Sequence, residues 1–84
     1  MKHATATTLA GLSELLEQIR TRRVLKEKKL GIFYRGAKSF LHFHEDPAGL
    51  FADLSSGADF ERYPVNAQHE WAVLLSAIDR AVGS

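Results

Sequence analysis

With 84 residues, 45% of them apolar and 25% charged, a formal net charge of +1 and no cysteine, the chain has a folded domain's composition, which excludes disulfides, thiolate chemistry and cysteine-ligated metal. One domain over residues 1–84 is expected, burying only roughly 60 to 65% of its unfolded surface. So thin a core without a disulfide raises the expectation of self-association, with a homodimer favoured.

No apolar run nears the roughly 20 residues of a membrane-spanning helix, and the N-terminus lacks a signal-peptide core. A cytoplasmic setting without a membrane partner is therefore expected. Residues 1–6 show no pattern and are expected to be disordered. From Thr8 to Arg23, Leu9, Leu12, Leu15, Leu16 and Ile19 recur on one helical stripe, with Thr7 or Thr8 as the N-cap. Gly11 costs this helix about 1 kcal/mol relative to alanine, which the burial of five aliphatic side chains outweighs.

Charge is segregated along the chain. Residues 20–38 hold eight of the eleven basic side chains, Arg20, Arg22, Arg23, Lys26, Lys28, Lys29, Arg35 and Lys38, against Glu27, whereas residues 45–79 are mainly acidic. Such a segment either closes a helix with favourable cations or meets a phosphate backbone or an acidic partner.

Leu30 to Arg35 and Ser39 to Glu45 read as two strands joined through Gly36-Ala37, with glycine first in a type II′ turn. That register sets Phe33 opposite Phe40 and Ile32 opposite Leu41. Asp46-Pro47-Ala48-Gly49 carries type I turn residues and leads into a strand from Leu50 to Leu54, which pairs Glu45 with Leu50 and His42 with Asp53. One sheet face then collects Ile32, Tyr34, Leu41, Phe43, Leu50, Ala52 and Leu54 as core. The other collects Phe33, Arg35, Phe40, His42, His44, Phe51 and Asp53. Asp59 to Tyr63 forms a short fourth strand, and Asn66 caps a second helix striped with Trp71, Leu74, Leu75, Ile78 and Val82. The expected fold class is α+β: a helix, a three- to four-stranded antiparallel meander and a helix, with the helices packed on the sheet.

His42 and His44 are the local arrangement that can carry chemistry. Alternate residues of a strand share a face, so the two imidazoles start about 6.5 to 7 Å apart and can converge on one divalent metal, with Asp53 across the sheet or Asp46 after the turn as third ligand. His42 could also act as an acid or base oriented by Asp53. Ser39, Ser55 and Ser56 are the neighbouring hydroxyls, and none lies in a nucleophile turn. No catalytic residue and no obligatory cofactor are therefore assigned. His3 is placed in the disordered end, and His69 in a helix's first turn, where the dipole disfavours its charge.

The string His42-Phe43-His44-Glu45-Asp46 resembles the HxHxD of metallo-β-lactamase-type hydrolases, but Pro47 stands where that family's next histidine belongs. Gly31 to Gly36, Phe40 to Asp53 and Phe60 to Tyr63 together resemble the small conserved-hypothetical proteins of bacteria. That resemblance implies a bacterial cytosolic setting and no activity.

The first reading is therefore a non-catalytic module that self-associates or binds a protein partner through Phe33, Arg35, Phe40 and Phe51, rings that a soluble monomer would rarely expose together. The second is a metal or small-ligand site at His42, His44 and Asp53. The third is nucleic-acid binding through Arg20, Arg22, Arg23, Lys26, Lys28 and Lys29, with the phenylalanines as stacking platform. The RNP1 pattern is absent, and Glu45 and Asp53 lie close to any bound backbone.

Overall fold

The leucine stripe near the N-terminus is long enough for one helix, yet the computed structural model, which describes residues 2–83, divides it in two. A strand β1, Lys2–His3, precedes helices α1, Ala6–Ala10, and α2, Ser13–Arg20. The break falls at Gly11, the C-cap of α1, whose N–H returns to Leu9 and Thr8 carbonyls. The N-cap is Thr5, whose hydroxyl accepts from Thr8 N, in place of Thr7 or Thr8. Division does not cost the apolar stripe, because Leu9, Leu12, Leu15, Leu16 and Ile19 are all buried.

Five strands follow: β2, Leu25–Lys29; β3, Ile32–Arg35; β4, Lys38–Asp46; β5, Gly49–Ser55; and β6, Phe60–Pro64. They form an antiparallel meander in the order β2-β3-β4-β5-β6, an open sheet, and β1 pairs with β4 beside it. Residues 2–6, expected without a pattern, take part in the fold: Lys2 pairs with Glu45, His3 pairs with His44, and Ala4 N donates to Phe43 O. Met1, included in that expectation, lies outside the described residues. Since β5 takes one edge of β4 at these positions, β1 continues the other edge where β3 stops. Residues 25–29, to which the sequence pattern assigns no element, form an edge strand of their own, so the basic segment is a helix end only at its start, where Arg20 stands in the last turn of α2.

The β4–β5 register is the one the turn residues imply, with His42 opposite Asp53 and Glu45 opposite Leu50. Asp46 Oδ1 accepts from Ala48 N and fastens that turn. The β3–β4 hairpin departs from expectation. Arg35 pairs with Lys38 and Tyr34 with Ser39 around Gly36, whose φ of 64° suits the first central position of a type II′ turn. Then Phe33 pairs with Leu41 and Ile32 with His42, leaving Phe40 as an extra residue. This bulge exchanges the faces of Phe33 and its neighbours. Phe33 and Phe40 join Leu41, Phe43, Ala52 and Leu54 in the core, and Ile32 and Tyr34 are half-buried beside the histidines instead.

Helix α3, Gln68–Gly83, completes the chain and buries Leu74, Ala77 and Ile78. Asn66 does not cap it. Its side chain turns to β5, accepting from Leu50 N and donating to Leu50 O, while the Glu70 carboxylate takes the free N–H groups of Asn66 and Ala67. The indole N–H of Trp71 donates to Val65 O and ties the helix start to the end of β6. The helices share one side of the sheet with the apolar core, and the opposite side carries polar groups. That division places the site.

Candidate metal centre

Leu41 and Phe43 bury themselves under the helices, so the alternating strand sends His42 and His44 to the helix-free side. Asp53 faces His42 from β5, and Arg62 faces Asp53 from β6. Nδ1 of His42 lies 2.7 Å from Nε2 of His44. The same Nε2 lies 3.1 Å from Oδ2 of Asp53. Arg62 donates from Nε to Oδ1 at 2.9 Å and from its terminal nitrogen to Oδ2 at 3.2 Å, fixing the carboxylate's plane. Asp53 is only 8% exposed.

One ligand atom from each of His42, His44 and Asp53 lies within 4.8 Å of the others. Adjacent ligands around a tetrahedral ion with bonds of about 2.0 to 2.1 Å stand roughly 3.3 Å apart, so small side-chain rotations bring the set to a common centre. Proton counting points the same way. A single N–H on His44 Nε2 can aim at the His42 nitrogen or at the carboxylate, not at both. If His42 Nδ1 holds the proton instead, His44 Nε2 sets a lone pair against Asp53. One of the two contacts therefore lacks a good hydrogen bond in either neutral arrangement, whereas a cation satisfies all three lone pairs at once. His44 Nδ1, also buried, meets no hydrogen-bond partner among the described residues.

Electrostatics favour the ligating protonation states. Burial and then the neighbouring His44 ring hold the His42 imidazole below its ordinary value, and the pull of Asp53 in the other direction is smaller. Burial alone would raise the Asp53 carboxyl, but the Arg62 hydrogen bond and charge bring it below the usual carboxylate range. A neutral imidazole beside an ionised carboxylate is the form a metal takes up.

Two further rings complete the surroundings. His3, delivered by β1, has its ring centroid 5.1 Å from that of His44 and 6.0 Å from that of His42. The Phe60 ring lies 5.0 Å from that of His42. Sequence reasoning missed His3, because a two-residue strand has no periodicity, and Arg62, whose role follows from a pairing on β6. On the open side a cavity of about 540 Å³ is lined by His3, His42, His44 and residues of β2, β3 and β4. Asp46, the alternative third ligand, is instead occupied in its own turn.

The other candidate residues are not brought together. Phe33 and Phe40 are core residues and Arg35 donates to Ala81 O of α3, all on the helix side, while the half-buried Phe51 lies across the sheet beside His44. The Phe33/Arg35/Phe40/Phe51 face is therefore not formed, and with it goes the stacking platform for bases. Within the basic segment, Arg20 pairs with Glu17 and Glu27, and Arg22 pairs with Asp79. Lys28 and Lys29 stand on β2 at the cavity beside the histidines.

No family model, curated protein or solved structure matches the chain, in keeping with a sequence that resembles no characterised family.

Proposed function

We propose that this protein binds one divalent transition-metal ion through His42, His44 and Asp53. The observation that carries the reading is the convergence of two imidazole nitrogens and a carboxylate oxygen at 2.7 and 3.1 Å with too few protons to satisfy them. Imidazole with a single carboxylate suits zinc and its first-row neighbours rather than calcium or magnesium, which prefer all-oxygen shells. Arg62 acts as the outer partner that orients the carboxylate. Three protein ligands leave a tetrahedral ion one position for an outside group.

Calorimetric titration of the metal-free protein with zinc tests this directly. One ion per chain is expected, and His42→Ala, His44→Ala and Asp53→Asn should each weaken binding by more than the about 10- to 100-fold that loss of an outer partner brings. His69→Ala, at an exposed histidine on α3, should leave binding unchanged. Absence of stoichiometric uptake, or uptake indifferent to His42→Ala, overturns the proposal.

A further inference from the structure

The cavity of about 540 Å³ in front of the imidazoles has a lining whose charge is one-sided. Besides His3, His42 and His44 it presents Lys28, Lys29, Ile32, Tyr34 and Ser39, and no carboxylate among the described residues lines it. Lys28 Nζ sits 4.5 Å from the centre of the Tyr34 ring, an attraction that keeps the ammonium group at the cavity wall. Asp53, the acid beside the imidazoles, is outside this lining and already holds Arg62. A divalent ion placed on His42, His44 and Asp53 would add positive charge to a wall that already carries two lysines. His42 and His44, which would hold that ion, line the same space as the lysines.

From this we infer that the site takes a small oxyanion, a carboxylate or a phosphate, with one oxygen on the metal and the others on Lys28 and Lys29. The inference rests on the metal reading above. Size is suitable, since small-molecule sites run from about 300 to 1,000 Å³. Hydroxyls of Tyr34 and Ser39 can donate further hydrogen bonds to the anion, and Ile32 offers a patch of apolar wall for a carbon chain. The recognition is charge-assisted hydrogen bonding to a group that the metal also binds, which neutral ligands cannot match. It also gives the exposed lysines of β2 a role beyond deterring further pairing at the sheet edge.

The test uses the full chain loaded with cobalt(II), whose visible bands report changes in the metal's ligands. Sodium acetate is titrated in one arm and inorganic phosphate in another. A saturable change in the bands is expected from at least one anion, and the arm that responds assigns the site to carboxylates, to phosphates or to both. Lys28→Gln/Lys29→Gln should load cobalt normally but bind the anion about tenfold or more weakly, because charge-assisted contacts are lost. Lys28→Arg/Lys29→Arg should retain binding. Both lysines are exposed, so the variants should fold, and circular dichroism verifies that. Cobalt that loads normally while its bands ignore both anions overturns this inference and leaves the metal reading standing. Anion binding unaltered in the glutamine variant overturns it as well. Failure of cobalt to load removes the metal reading itself, and this one with it.

Discussion

At His42 the direction of one proton equilibrium has consequences for the whole chain. Burial and the His44 ring disfavour its imidazolium, so its folded value lies below the ordinary one. Between those two values the unfolded chain binds more protons than the folded one, and stability rises with pH across that window. The contribution is therefore present above the ordinary value of about 6.5 and is lost as pH falls through the folded value. Thermal melts of the metal-free protein should show the melting temperature dropping as pH is taken from about 7 to 5, with His42→Gln flattening part of the drop. Asp53 does not confuse the reading, because its lowered carboxyl acts only below the ordinary value of about 3.9. A melting temperature that is level across the upper window in the wild type would contradict the protonation state on which ligation depends.

Among the elements, the β3–β4 hairpin decides which residues are structural and which are available. Phe33 is 1% exposed and meets the core because Phe40 is an extra residue in its partner strand. Phe33→Ala should cost about 3 to 5 kcal/mol in denaturant unfolding, a large share of the stability of a small domain. Tyr34→Ala, on the opposite face and half-buried, should cost distinctly less; the reverse order would mean that no bulge forms. A period of two could not reveal this inversion, since Ser39-Phe40-Leu41 reads equally well without an added residue. Where a marked turn sets the phase, as Asp46 to Gly49 do between β4 and β5, the pairing of His42 with Asp53 was legible from the chain alone. β2 was not legible, because Leu25 is the one apolar side chain in Leu25-Lys26-Glu27-Lys28-Lys29, and charge on an edge strand deters further pairing rather than advertising a strand. Gly31 shows a similar limit. Its φ of 75° and the Leu9 methyl, 2.8 Å from where a Cβ would stand, explain why glycine follows β2, but both depend on the helix packed there.

Over the whole molecule, the helices bury their leucines on one side of the sheet while His42, His44 and Asp53 meet on the other. The proposed metal site and the core therefore lie on opposite faces of the same strands, and a metal bound there would add stability without rearranging the core. Any ion that binds the folded chain and not the unfolded one stabilises it, by about 2.7 kcal/mol at a free concentration one hundred times the dissociation constant. For a domain of this length that corresponds to a rise of roughly 10 to 20 °C in melting temperature. The gain should be large in relative terms, because a chain of 84 residues without a disulfide has a thin core. Melts with saturating zinc and with a chelator should differ by that amount in the wild type and coincide in His42→Ala. Magnesium, which prefers oxygen ligands, should give little shift. Should zinc leave the wild-type melt unchanged while a core variant such as Phe33→Ala still lowers it, the helix-free face holds no metal and its histidines serve the sheet alone.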